Sequence, residues 1–457
     1  MNRKLIVAIA TAVILVAGTY IAIQFAKGYR PDLRKREIRG TGLLVTNSVP
    51  IGAQVFLNGK LTTATNDTTN LPPGEYEVEI KKDGYISWKK TLKIEEELVT
   101  QAIARLFPSV TDLRPLTFTG AENLTPSPDG QKIAYVVTAS SEDVKKGVWV
   151  LDMVTRPFSL SKDPIQIVRN TENLDFGNAT LLWSPDSAQL LAHFPEGEKT
   201  VVSETNILLD AGGLNREEAL RDATARLPVI FSQWEEQLAH KLNDQLLTLP
   251  SEMQNIATGS ATNLYFSPDE EKLLLTATNE AEIPEKLIPP LPASSTQQEQ
   301  RLLEPGNVYV YDLKEDRNFL IAQRQEPPAE LGTLRQKILL VDRITQNLPF
   351  IEEASPSAYT KLQKETTQST ISEFAAQYAP ISAGQLQWFP DSNHLIQTEE
   401  DKITILEYDG TNRAAVYAGS LLDRFAYSWP DGSKLLILTN LNPQSELPAN
   451  LYAINLK

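Results

Sequence analysis

Ser127-Pro128-Asp129-Gly130-Gln131-Lys132-Ile133-Ala134-Tyr135-Val136-Val137 couples a tight-turn signal to an unbroken apolar run, and the chain returns to that combination four more times. The other turns are Ser184-Pro185-Asp186-Ser187, Ser267-Pro268-Asp269-Glu270, Phe389-Pro390-Asp391-Ser392 and Trp429-Pro430-Asp431-Gly432. Proline pre-sets φ for the second turn position, and Asp can hydrogen-bond the backbone just beyond it. The runs that follow, 132–137, 190–194, 273–276, 394–396 and 435–438, are short and almost wholly apolar. Strands covered on both faces look like this. A third run follows in each case, at 148–152, 206–210, 308–312, 403–406 and 451–454. A unit repeated in this way cannot bury its apolar face alone, so the copies must pack on one another.

Three strands per copy, with room for a fourth, make a blade, and blades set radially around an axis protect their own edges. The chain therefore reads as an all-β protein dominated by a β-propeller. Five turns predict five blades, and the interval between Asp269 and Asp391 has room for a sixth, degenerate one. The last copy ends after its third strand, so 113–118 is expected to fill the open position and close the ring. The turn residues Pro128, Asp129, Pro185, Asp186, Pro268, Asp269, Pro390, Asp391, Pro430 and Asp431 read as structural. With its following run, the Ser-Pro-Asp-Gly turn resembles the TolB-type propellers related to WD repeats, from about Leu113 to the C-terminus. Phe389-Pro390 and Trp429-Pro430 depart from the Ser-Pro form. What this resemblance implies is a fold, since one propeller architecture serves many roles.

At the other end, a basic Met1-Asn2-Arg3-Lys4 precedes an uncharged apolar run from Leu5 to Ala26. At about 1.5 Å per residue such a helix matches the thickness of a bilayer core. The run is long for a cleaved signal peptide, and no small-x-small site precedes a polar stretch, so a signal anchor held in the membrane by Leu5 to Phe25 is expected. The first forty residues hold eight Lys or Arg against two Asp or Glu, which leaves the remainder at −21 of a net −15. An acidic body repels a phosphate backbone, and nucleic acid is excluded as a partner. The basic collar suits anionic headgroups or a topology signal. Counted strictly, it favours a cytoplasmic C-terminal part. The domain resemblances favour an extracytoplasmic one, which is the expectation adopted. The chain has no cysteine, which fixes no compartment.

Between anchor and propeller, Tyr76, Val78 and Ile80 alternate with Glu75, Glu77 and Glu79, giving one dry and one wet face. Asn58-Gly59 is a strong hairpin signal. With Pro50-Ile51-Gly52-Ala53, Pro73-Gly74-Glu75-Tyr76 and Gly84-Tyr85, this stretch resembles the PEGA domain, a small β-sandwich-like module of microbial envelope and surface proteins. Ile51 stands where the namesake motif has Glu. The expected parts are thus a transmembrane anchor at 1–27, a basic juxtamembrane linker at 28–41, a PEGA-like domain at 42–107 and a propeller at 112–457.

Two insertions interrupt the propeller, at about 214–250 and 328–380. In the first, Asn215 reads as an N-cap before Glu217 and Glu218, Pro228 reads as a break, and Trp234, Leu238, Leu242 and Leu246 recur at helical spacing. The second carries Leu331, Leu334, Ile338 and Leu339 before a Thr/Gln/Ser-rich portion. A third stretch, 284–305, reads as a long polar loop. The insertions either gather into a partner surface or cover the propeller.

No catalytic, cofactor or metal constellation emerges. His193, His240 and His394 are scattered, and no phosphate loop or nucleophile elbow occurs. Glu95-Glu96-Glu97, Glu235-Glu236 and Glu399-Glu400 read as solvated faces, and Trp149, Trp183, Trp388 and Trp429 as core. The expected function is non-catalytic binding of an envelope protein or polysaccharide partner through the propeller. The alternatives are a structural spacer at the cell surface and a glycan-active enzyme using rim acids.

Overall fold

A computed structural model of the chain describes residues 3–26, 29–32, 37–154, 164–195, 204–289, 297–323, 386–441 and 448–457. Two compact units emerge from the described parts of Met1–Val110 with Ile288–Glu299 and Lys314–Asp316, and of Thr111–Leu287, Gln300–Leu313 and Arg317–Lys457. The 328–380 insertion lies outside the described residues.

The first unit begins with helix α1 (Arg3–Ala26). Its described side chains, at 9–23, are all exposed, Val13, Ile14, Leu15 and Val16 among them. Among the described residues no helix is long and apolar enough to cross a membrane. Two sheets then face one another. One places Gly42–Val49 between an antiparallel Asp67–Leu71 and a parallel Val99–Arg105; the other runs Lys60–Ala64, Gln54–Leu57, Gly74–Lys81, Trp88–Ile94. The predicted alternation holds, for Val78 and Ile80 enter a core with Leu44, Val55, Trp88 and Leu92. Asn58 and Gly59 both take positive φ, 49° and 77°, in the two-residue turn between Leu57 and Lys60. The acidic run Glu95-Glu96-Glu97 is more than a solvated face. Tyr29 hydrogen-bonds Glu96, which pushes the phenol up to about 12, and Lys93 pairs with Glu95 at 2.7 Å.

The second unit is a ring of blades, five among the described residues, each with antiparallel strands. Blade 1 comprises Glu122–Pro126, Lys132–Val137, Gly147–Asp152 and Ile165–Arg169. Thr180–Trp183, Gln189–Phe194 and Thr205–Asp210 form blade 2. Ala261–Phe266, Lys272–Ala277, Val308–Asp312 and Arg317–Ala322 form blade 3. Blade 4 comprises Leu386–Trp388, His394–Thr398, Lys402–Glu407 and Ala414–Ala418. The first strand of each blade is an edge strand of its sheet, the innermost position in propellers generally.

Blade 5 closes the ring. Ala426–Ser428, Lys434–Thr439 and Asn450–Asn455 are joined on the outside by Leu113–Pro115, in the register Leu113↔Ile454, Arg114↔Ala453 and Pro115↔Tyr452. The predicted closure therefore exists. Leu116 N still donates to Leu451 O (2.8 Å), and Thr117 then takes over by donating to Asn450 Oδ1 (3.0 Å) and accepting from Leu451 N (2.9 Å).

The first insertion departs from its sequence reading. Residues 217–219 and 224–226 are short 3-10 turns, and the helix α2 (Leu227–Leu246) begins where a break is expected. Pro228 sits in its first turn, where a missing N–H forfeits nothing and a fixed φ suits the helix. Asn215 is a staple rather than a cap. Its Nδ2 donates to Ile167 O and Asp210 O, both at 2.9 Å, tying blade 1 to the end of blade 2. A second helix, α3 (Ser251–Gly259), follows. Leu227, Ile230, Phe231 and Trp234 of α2 pack on Leu182 and Leu191 of blade 2. Leu246, with Met253 and Ala257 of α3, packs on Phe266, Leu273 and Tyr309 of blade 3. The helices neither cap a rim nor cover an outer face; they fill the seam between two blades.

That arrangement bears on the blade count. Blades 3 and 4, which flank the long Asp269–Asp391 interval, meet directly through Leu274, Val310, Trp388, Leu395 and Leu406. Among the described residues no further sheet separates them. In the third interrupted stretch, Ala281–Glu282 pairs with Leu302–Leu303, so the expected loop is partly a small hairpin.

Candidate functional site

The five Pro-Asp turns share one construction. Each Asp Oδ1 accepts from the N–H two residues on: Asp129 from Gln131 (3.0 Å), Asp186 from Ala188 (3.0 Å), Asp269 from Glu271 (3.1 Å), Asp391 from Asn393 (3.0 Å) and Asp431 from Ser433 (2.8 Å). The residue after each Asp is left-handed: Gly130, Ser187, Glu270, Ser392 and Gly432, with φ between 58° and 70°. A tight turn followed by a left-handed residue matches the twist of the flanking strands. In blades 1 to 3 the preceding Ser completes the unit. Ser127, Ser184 and Ser267 each donate to the Asp Oδ1 at 2.5 Å and accept from the N–H opening the next strand at 2.9–3.0 Å. Blade 4 has Phe389 there, and His394 supplies the donor instead, with Nδ1 3.0 Å from Asp391 Oδ2.

These bonds set the acidities. Asp186 is held below the ordinary carboxylate range, first by the Ser184 hydroxyl and then by the Ala188 N–H. Burial pushes Asp269 and Asp431 upward, but hydrogen bonds from Ser267 and Glu271, and from Ser433, together with nearby lysines, outweigh it and lower both.

Two turns also reach into the neighbouring blade, by the same device. Asp129 N donates to Ser187 Oγ, and Asp269 N to Ser392 Oγ, each at 3.1 Å. Trp183 Nε1 donates to Thr125 O, and Trp388 Nε1 to Tyr265 O, each at 2.8 Å. Both acceptor strands carry a left-handed Asn and a bulge, at Asn123 and Asn263. The seam between blades 1 and 2 thus repeats between blades 3 and 4.

The remaining candidates have structural posts. His193 is buried, and its Nδ1 lies 2.8 Å from Asn206 Oδ1. Asn206 Nδ2 already donates to Glu204 and Thr224, so His193 Nδ1 carries the proton. This network fastens the entry of the helical insertion to blade 2. His240 is exposed, 3.9 Å from Glu236. Trp183 and Trp388 are buried, whereas Trp149 and Trp429 are half-buried. Among the described residues no group of three or more His, Cys, Asp or Glu could hold a metal ion.

Missed by sequence reasoning was a pair of tyrosines on the first strands of blades 3 and 5, of which Tyr427 reaches the Gly130 turn of blade 1. Tyr265 and Tyr427 stand three residues before the Pro of their turns, and that shared offset was the available signal.

Residues 41–109 match the PEGA domain family, and with the sandwich described above they form a PEGA domain. No curated protein sequence matches the chain. Solved structures similar to it include TolB-type proteins. One, from Agrobacterium tumefaciens, is 11% identical at a TM-score of 0.20, covering 72% of this chain and 76% of that one. TolB from Acinetobacter baumannii is also 11% identical, at a TM-score of 0.21, and the match covers 95% of this chain but 66% of that one. A PQQ-bound aldose sugar dehydrogenase from Streptomyces coelicolor is 11% identical at 0.26, with 77% and 100% covered. None of the three brings an activity to this chain.

Proposed function

We propose that this protein is a membrane-anchored envelope protein that recognises a protein or polysaccharide partner through its propeller, without turnover. The observation that carries the reading is that the acids of the blade turns and the histidines of the blade strands are engaged in holding turns and strands. A rigid ring built in this way presents side chains rather than transforming substrates. The PEGA domain supports an envelope setting. The exposed apolar side chains of α1 support an anchor, and the envelope setting of the PEGA domain is the ground for reading the large domains as outside the cytoplasm.

The partner surface is assigned to the outer face of α2, where Gln233, Glu236, Gln237, Lys241 and Asp244 are exposed. Because α2 and α3 fill a seam, excising them would uncover Leu182, Leu191 and Phe266, so point changes are the sound test. Full-length protein should capture a partner from solubilised envelope, and Glu236→Lys with Asp244→Lys should weaken capture with thermal stability unchanged. Protease added to intact cells should reach the propeller. Capture indifferent to these changes, or turnover of a glycan by purified protein, would remove the reading.

A further inference from the structure

The two sheets of the PEGA domain have contrasting outer faces. On one, Glu75, Glu77 and Glu79 stand opposite Lys93, Thr91 and Lys89, and the pairs Lys89–Glu77 and Lys81–Glu79 each close at 2.9 Å. That face is charged and hydrated. On the other sheet, Leu44, Thr46 and Ser48 of one strand and Thr100, Ala102 and Ala104 of the next are buried, so the residues between them point outward. The parallel register sets Leu43 beside Val99, Val45 beside Gln101, Asn47 beside Ile103 and Val49 beside Arg105. Val49, Val99 and Ile103 are 50%, 47% and 60% exposed. The Asp67–Leu71 strand adds Thr68 and Asn70 to this face. No carboxylate occupies any of these outward positions, and Arg105 is their one charge. On a body of net negative charge, an exposed apolar face without a single acid marks a contact surface.

The course of the chain shows what lies within its reach. Between α1 and Gly42 the chain doubles back, pairing Arg30 with Arg39, Pro31 with Ile38 and Asp32 with Glu37. Only 27–29 and 40–41 are left to separate the helix from the sheet. Fully extended, those steps and the hairpin's width cover at most about 30 Å. Side chains draw the same elements together. Tyr29 hydrogen-bonds Glu96, and Glu96 lies so close to Gly40 that a Cβ there would collide with its carboxylate. Glu96 belongs to the turn that opens the Val99–Arg105 strand, so the Leu43 and Val99 end of the apolar face is tied to the chain just beyond α1. In sequence, 27–41 also holds six Lys or Arg against Asp32 and Glu37. Such a collar is attracted to anionic headgroups.

We propose that this face rests on the surface of the bilayer that holds α1, with Val49, Val99 and Ile103 among the lipid headgroups and the charged sheet turned to water. The inference rests on the anchored reading of α1. Lipid is the occupant because the short doubled-back linker keeps the face beside the membrane and the basic collar holds it there. The neutral polar residues interleaved on it, Asn47, Thr68, Asn70 and Gln101, suit the hydrated headgroup layer rather than hydrocarbon. The domain is thus seated on the membrane, and does not act as a stalk that lifts the propeller away.

The chain has no cysteine, so one introduced thiol carries a fluorophore at one known place. Full-length Ile103→Cys, Glu77→Cys and Val16→Cys, each labelled with an environment-sensitive dye, are placed in discs of phosphatidylcholine and phosphatidylglycerol containing nitroxide-bearing lipid. A nitroxide at headgroup depth should quench position 103 about threefold more than position 77. A nitroxide deep in the acyl chains should quench position 16. Val99→Cys repeats the measurement on the same face, should Ile103→Cys fold poorly. Position 16 quenched, with 103 quenched no more than 77, would overturn the proposal and leave the anchor standing. Position 16 unquenched would remove the anchor itself. A label at 103 shielded only when two copies share a disc would assign the face to a second copy of the chain, and so overturn the proposal as well.

Discussion

Between blades 1 and 2 the sheets meet face to face, with Trp183 donating to Thr125 O and Ser187 accepting from Asp129 N. Between blades 2 and 3 the sheets are separated by α2 and α3, and contact is mainly apolar. Polar contacts on that second seam sit at its ends, Asn206 to Thr224 at the entry and Gln245 to Glu270 (2.9 Å) at the exit. The reason lies in the backbone. An innermost strand offers carbonyls and N–H groups to its neighbour, so a sheet seam can be latched in register. A helix satisfies its own backbone and offers only side chains. The sheet seams should therefore be intolerant of changes at a few named positions, and the helix seam should depend on summed apolar volume.

The largest effect is expected at the latch tryptophans. Trp388→Ala and Trp183→Ala should each reduce stability by about 3–5 kcal/mol, read from urea unfolding. Equal losses at half-buried Trp149 would contradict the special status of the latch. Next come Ser187→Ala and Ser392→Ala, which leave an Asp N–H without its acceptor, at about 1–3 kcal/mol each. Ser433→Ala, whose hydroxyl bonds Asp431 within its own turn, should change stability less.

Acid should act on both kinds of seam through the turns. Asp186, Asp269 and Asp431 have folded-state acidities below the ordinary 3.8, so they bind protons more weakly folded than unfolded. Their contribution is complete above that value and is lost as pH falls through the lower, folded one. Urea midpoints should stay level from neutral pH down to about 5 and fall below about 4. A fall beginning near pH 6 would show that groups other than these three carboxylates govern the transition.

The smallest change is also the sharpest. Glu270 holds a left-handed φ of 59°, and its side chain accepts only an exposed hydrogen bond from Gln245. Glu270→Gly should therefore relieve about 1 kcal/mol of backbone strain, less the small contribution of that bond, for a slight net stabilisation. Ser187→Gly relieves the same strain at φ 58° but removes the acceptor for Asp129 N, so its net effect should be destabilising. Matching effects from the two would show that the bond from Asp129 N to Ser187 contributes no more than the exposed one from Gln245 to Glu270.

The turns were legible in the sequence because their chemistry is local: Pro, Asp and the following residue act within one short segment. The closing strand was legible because a blade short of one strand implies a donor elsewhere. The helix seam was not. Helical spacing in Trp234, Leu238, Leu242 and Leu246 gives a face but not what it packs on, and Pro228 reads equally as a stop or a start. The latch was hidden for a related reason. Trp183 and Trp388 share an offset from Pro, but their acceptors, Thr125 and Tyr265, are known only once the blades are placed side by side. Tyr265 and Tyr427 share an offset too, and the approach of Tyr427 to the Gly130 turn depends on the ring being closed.

Closure also imposes an order in time. Thr117 and Asn450, which bond across blade 5, are 333 residues apart. At a synthesis rate of about 5–20 residues per second, the Leu113–Pro115 strand waits roughly 20–60 s for its partner. Blades 1 to 4 can be complete while that early segment still has nothing to pair with. A nascent chain thus carries an unpaired edge strand for most of its manufacture, and a ribosome stalled before Asn450 releases a ring that cannot shut.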